Sequence, residues 1–74
     1  MQDSVYRKTE IVGSSAAGLQ QAIEAGISRA RQTLRHLDWF EVTEIRGYLG
    51  GDGPEDGSAE YWQVTMKVGF RLEE

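Results

Sequence analysis

From Tyr61 to Leu72 the chain alternates without a slip. Trp62, Val64, Met66, Val68, Phe70 and Leu72 fall on one face, and Tyr61, Gln63, Thr65, Lys67, Gly69 and Arg71 fall on the other. A period of two sustained over this length is the signature of an extended strand with one apolar side. At ~3.4 Å per residue the strand reaches ~40 Å, longer than most strands in globular proteins. An apolar face that long needs a cover, and the rest of the chain offers little material to make one.

The upstream elements follow from local pattern. Val5 to Val12, rich in β-formers and closed by Gly13, reads as a first strand. Ser14 or Ser15 is a suitable helix N-cap, because a hydroxyl accepts from an orphan N–H of the first turn. Leu19, Ile23, Ile27, Ala30, Leu34 and Leu37 recur at steps of three and four, giving one apolar stripe on a helix from about Ala16 to Arg35, roughly 30 Å long. Gln20, Gln21, Glu24, Arg31 and Arg35 lie off the stripe. Trp39 to Leu49 reads as a second strand whose parity slips. Phe40 and Val42 share a face while Ile45 falls on the other, which implies a β-bulge or a strand whose two ends pack on different things. Gly50 to Ser58, holding the sole proline Pro54, reads as a solvated hairpin loop.

The order is β-α-β-β, an α+β fold in which a three-stranded antiparallel sheet wraps around one long helix. With 74 residues and 8.3 kDa there is room for a single domain, 1–74. A domain this small usually needs a disulfide, a metal or oligomerisation. Cysteine is absent, so oligomerisation remains, and the exposed sheet edges invite it. No charged-then-apolar leader opens the chain and no run approaches a ~20-residue span, so a soluble, cytoplasmic protein with no membrane partner is expected. A net charge of −4 argues against a nucleic-acid partner.

Several motif matches fail. Gly13 and Gly18 have P-loop spacing, but Leu19-Gln20 stands where the phosphate-binding Lys-Ser/Thr belongs. Asp52, Asp56 and Gly57 fit three calcium-loop positions, but Pro54 and Gln63 occupy ligand places. His36 is the single histidine and no cysteine accompanies it, so no metal site is expected. No nucleophile–base pairing argues for catalysis. Trp39 offers a large π face, and Gln63 an amide that donates and accepts at once, a pair suited to a flat heteroaromatic ligand. From the residues alone, Trp39 is equally readable as a core or interface tryptophan, Gln63 as a surface glutamine, and Arg46 as a partner in an interstrand ion pair. Trp62 shares the apolar face with Val64 and Met66 and reads as core or subunit packing.

The segments Trp39-Phe40-Glu41-Val42-Thr43-Glu44-Ile45-Arg46-Gly47 and Gln63-Val64-Thr65-Met66-Lys67-Val68-Gly69-Phe70-Arg71-Leu72-Glu73, with Glu10 to Ser15 and Thr33-Leu34-Arg35 upstream, resemble the dodecins. The resemblance covers nearly the whole chain except the loop between the two segments. It implies a hollow homododecamer of about 12 × 8.3 ≈ 100 kDa. It also implies a non-enzymatic protein that stores or sequesters FMN or a riboflavin-type flavin and quenches its photochemistry. Trp39 would stack on the isoalloxazine, Gln63 would bond its pyrimidine edge, and Arg46 would lie near the ribityl chain or phosphate. Some dodecins also bind coenzyme A at subunit contacts; the matching positions are Arg29, Thr33, Leu34, Arg35 and Arg71. The alternatives are a self-assembling structural or interaction shell that binds coenzyme A or nothing, and, more remotely, a small flavin enzyme. The loop 50–58 is longer and more acidic than the family's usual hairpin.

Overall fold

The computed structural model describes residues 3–51 and 56–72, so the centre of the long loop, 52–55, lies outside the described residues. The element order is β1 (Tyr6–Ser15), α1 (Leu19–Thr33), β2 (Leu37–Tyr48) and β3 (Tyr61–Arg71). The three strands form one antiparallel sheet in the order β1-β3-β2, with the over-long last strand in the centre. This central position gives β3 a partner along both sides and leaves β1 and β2 as edges.

The helix is shorter than its periodicity suggests and starts later. β1 does not stop at Val12 but pairs with β3 through Ser14↔Gln63 and Ser15↔Trp62. Neither serine is therefore available as the N-cap. Gly18, at φ +155°, takes that position with no side-chain cap. Ser15 instead accepts from the Ala17 N–H at 3.0 Å, tightening the strand exit. At the other end Leu34 is already extended, and the chain reverses through His36 at φ +62°. Leu37, expected on the helical stripe, is the first residue of β2 and pairs with Phe70.

The innermost line of α1 is also not the expected one. Ala22, Gly26 and Ala30 are its buried residues, while Leu19, Ile23 and Ile27 are partly buried beside them. Small residues lead because the helix lies almost on the backbone of β1. A Cβ on Gly13 would overlap the Ala22 carbonyl oxygen, and one on Gly26 would reach Met66 Cε at 2.7 Å. The core proper is Ala22, Val64 and Met66, with Ile11, Leu19, Ile23, Ile27 and Trp62 packed against it. Trp62 is thus a packing residue, as its parity indicates.

The bulge in β2 falls where the parity slips. The register shifts between Val42 and Glu44, so Thr43 is the extra residue, and its Oγ1 donates to the Thr65 carbonyl at 3.2 Å. Phe40, Val42 and Ile45 thereby face the same side as Val68, Met66 and Val64, opposite which they pair. A second shift, between Leu37 and Trp39, turns Trp39 to the other face. The helix packs chiefly on β1 and β3, and it approaches β2 at that strand's start, where Ile27 and Arg31 share a small cleft with Leu37, Asp38, Trp39 and Phe40. Phe40, Val42 and Ile45 remain 47%, 40% and 56% exposed on the helix side. The long sheet is covered along part of its width only.

Candidate functional site

The helix-free face of the sheet carries every candidate flavin residue. Each position there follows from the register, because directly paired residues share a face. One cross-strand row is Lys8–Gly69–Trp39, the next is Glu10–Lys67–Glu41, and further along come Val12–Thr65–Glu44 and Ser14–Gln63–Arg46.

Gly69 decides the first row. The edge strands are about 10 Å apart across β3, and a side chain at Gly69 would separate whatever they carry. Without one, the Trp39 indole lies over the Gly69 backbone, where an added Cβ would overlap ring atoms Cε2, Cζ2 and Cη2. Tyr6 reaches over from β1 to meet that indole edge-on, with ring centroids 5.2 Å apart and planes at 61°. The indole Nε1–H donates to Glu41 Oε1 at 3.0 Å. Lys8 Nζ donates to the same oxygen at 3.0 Å, an ion pair that spans the central strand. The Trp39 hydrogen bond foremost, then Lys8 and Lys67, hold the Glu41 carboxyl below its ordinary value. Trp39 is therefore fixed at its seat, one edge and its nitrogen, yet stays 37% exposed.

Gln63 and Arg46 form the other cluster. They are direct cross-strand partners. Tyr48, two positions on from Arg46, stacks on Tyr61 at 4.4 Å with planes 12° apart. Its hydroxyl donates to Gln63 Oε1 at 3.4 Å and accepts from Arg46 at 3.5 Å. With Oε1 engaged, the two N–H donors of the Gln63 amide are left for a further acceptor. Among the described residues Arg46 hydrogen-bonds this hydroxyl, and Glu44 on its own strand adds an attractive charge; both raise the guanidinium's pKa.

Trp39 and Gln63 do not come together within one chain. Trp39 pairs with Gly69, six residues along β3 from Gln63, which separates them by roughly 20 Å. Any flat ligand that touches both must lie between two copies of the chain.

The coenzyme A set divides as well. Arg29, Thr33 and Leu34 line a groove of about 440 Å³ between α1 and β1, together with Thr9, Ile11 and Gly13. Arg35 follows the helix C-cap and is exposed. Arg71 pairs with Tyr6 on the helix-free face, so it lies across the sheet from that groove. A larger groove of about 730 Å³ runs between α1 and β2, with Ile23, Ile27, Arg31 and Phe40 in its lining. Phe40, the first residue of the uncovered Phe40–Val42–Ile45 strip, is the β2 residue in that lining.

Sequence reasoning picked out Trp39, Gln63 and Arg46 but missed the residues that hold them: Gly69, Glu41, Tyr6, Lys8, Tyr48 and Tyr61. One signal was present. A glycine inside an otherwise clean alternating strand marks a close approach.

A family model described as dodecin matches residues 5–73. A dodecin of Thermus thermophilus is 61% identical over 70 residues, covering 95% of this chain and 94% of its own length. Among solved structures, a Thermus thermophilus protein superposes with a TM-score of 0.84 at 56% identity, covering 97% of this chain and 98% of its own. The dodecin from Streptomyces davaonensis gives 0.84 at 57% identity, covering 99% of this chain and 100% of its own. That from Streptomyces coelicolor gives 0.80 at 53%, covering 100% and 99%.

Proposed function

The chain belongs to the dodecin family, and from that membership and the site geometry we propose that it binds a flavin without catalysing a reaction on it. It stores or sequesters FMN or a riboflavin-type flavin as a homododecamer and quenches the bound molecule's photochemistry. The observation that carries this reading is the indole of Trp39, immobilised over Gly69 on the polar face and still exposed. An electron-rich indole favours offset stacking on an electron-poor heteroaromatic ring. The role of this chain's residues is to bind and orient. Trp39 supplies the stacking face and an electron donor to the excited ring. Gln63 offers amide donors to a carbonyl-bearing edge, and Arg46 beside it offers a cationic fork to a phosphate.

Because Trp39 and Gln63 lie roughly 20 Å apart in one chain, the site is assembled from different protomers. The uncovered strip of Phe40, Val42 and Ile45 and the two edge strands give the surfaces such assembly would bury. Among the described residues no helix is long and apolar enough to cross a membrane.

Native mass spectrometry, followed by identification of the released ligands, tests the reading directly. A particle of about 100 kDa that releases a flavin supports it. A monomer, or an assembly carrying no flavin that also fails to bind added FMN, refutes it. A second reading is favoured by the α1–β1 groove that gathers Arg29, Thr33 and Leu34. Here the assembly is a shell that binds coenzyme A or no ligand, and release of coenzyme A alone would select it.

A further inference from the structure

We propose that Glu41 is the positioning residue of the stacking site: its carboxylate, braced by Lys8 from across the sheet, fixes the plane of the Trp39 ring before any ligand arrives. This rests on the flavin reading above for its functional consequence, but the ring-fixing itself does not.

Trp39 stands on an edge strand, on a face with no helix over it. A tryptophan so placed would ordinarily sample several rotamers. Three contacts restrain it: the Gly69 floor, the Tyr6 edge and the Nε1–H bond to Glu41. Only the last is directional. The floor and the edge permit sliding and swinging, whereas a 3.0 Å hydrogen bond from the ring nitrogen fixes rotation within the plane of contact. Glu41 is itself held, because Lys8 donates to the same oxygen at 3.0 Å. The groups facing that carboxylate are Lys8 and Glu10 on β1, Lys67 on β3 and Glu44 on its own strand, a nearly balanced set. A stacking platform fixed in advance spares the ligand the cost of ordering it.

The test uses the full chain in a Trp62→Phe background, so that Trp39 is the only indole. Time-resolved fluorescence anisotropy of the ligand-free protein reports ring mobility, and riboflavin, which carries no phosphate charge, reports binding. Glu41→Ala should lower the residual anisotropy of Trp39, shift its emission to the red and weaken riboflavin binding by roughly tenfold, since it deletes a charge-assisted hydrogen bond. Glu41→Gln keeps an acceptor and removes the charge. It should restore the anisotropy and hold riboflavin within about threefold of the parent. Unchanged anisotropy in Glu41→Ala overturns the proposal. So does a Glu41→Gln variant as impaired as Glu41→Ala, which would assign the effect to charge. A loss of melting temperature without a change in ring order would mark Glu41 as a brace of the sheet and also overturn it. If the parent binds no riboflavin, the flavin reading fails, while the anisotropy pair still decides whether Glu41 fixes the ring.

Discussion

The indole of Trp39 occupies the space that a side chain at Gly69 would fill. The two residues are cross-strand partners, so the glycine is what lets an edge-strand ring lie flat over the central strand and meet Tyr6 from the far edge. Gly69→Ala should therefore act on the ring first. The added methyl displaces the indole, exposing it and weakening flavin binding by about tenfold or more, while overpacking costs roughly 1–3 kcal/mol of stability. Tryptophan emission and a flavin titration read the two effects separately. Tight binding with an unshifted emission maximum would show that the indole has another seat.

The helix–sheet contact makes a paired prediction. Gly13 and Gly26 face each other, but an added Cβ would meet different things: the Ala22 carbonyl at Gly13, and the flexible tip of Met66 at Gly26. A side-chain tip can swing aside, whereas a helix carbonyl moves only with its helix. Gly13→Ala should cost about 3 kcal/mol or more and Gly26→Ala about 1 kcal/mol. Denaturant unfolding at fixed protein concentration gives the comparison. Equal losses would mean that α1 shifts on the sheet more easily than the packing of Ala22 and Ala30 implies.

The two tryptophans control for each other. Trp62 packs against Ala22, Val64 and Met66 but is only partly buried. Trp62→Ala should cost about 3 kcal/mol, the low end for a buried tryptophan, with flavin binding kept in the surviving assembly. Trp39→Ala should leave the assembly in place and abolish most binding, since stacking on an aromatic side chain is worth ~1–3 kcal/mol per base in other proteins. Reversed outcomes would exchange the ligand and packing roles.

How much of this was legible in the sequence depends on what sets each feature. The strand order along the chain, the alternation of β3 and the bulge near Val42 rest on local period, and local period is visible. The start of α1 was misplaced because Ser14 and Ser15 are good caps locally, while pairing with Gln63 and Trp62 outweighs capping. The buried line Ala22–Gly26–Ala30 escaped because periodicity is weighed by large apolar residues, and this helix is seated by small ones. Glu41, Tyr6 and Lys8 were invisible as partners of Trp39. Their meeting depends on a register with two shifts and on a glycine in a third strand. The separation of Trp39 from Gln63 needs the same register.

The pH dependence follows from Glu41. Its pKa in the folded chain lies below the ordinary 4.5, with the Trp39 hydrogen bond as the first cause. A depressed carboxyl contributes in its ionised form. The contribution is therefore complete above 4.5 and is lost as pH falls through the lower folded value. Melting temperature should be flat across neutral pH with respect to this group and fall only on acidification past 4.5. Trp39 emission and flavin affinity should change little, since a neutral carboxyl, like the amide of Glu41→Gln, still accepts from the indole. Glu41→Gln should erase that acid limb. A transition near neutrality in the parent would assign control to another group.

The composite site yields the most discriminating test. If Trp39 and Gln63 of one chain served the same ligand, no mixture of Trp39→Ala and Gln63→Ala protomers could build an intact site. The roughly 20 Å between them along β3 requires the opposite: one protomer supplies the ring and a neighbour supplies the amide. In a randomly mixed assembly the intact ring comes from a Gln63→Ala chain and the intact amide from a Trp39→Ala chain, each present about half the time. Roughly a quarter of the ring–amide pairings should then be complete. Co-expressed, co-assembled variants should recover tight, dark flavin binding at roughly that level, while each variant alone binds weakly. Homogeneous Gln63→Ala assemblies still stack, so the flavin they retain should also be dark, but held about tenfold more weakly. The measurement is a flavin titration of the mixed particle, with native mass spectrometry giving the mixing ratio. Mixed particles that bind no better than the average of the two homogeneous variants would place ring and amide in one chain's site or in independent sites, and either way remove the composite flavin site.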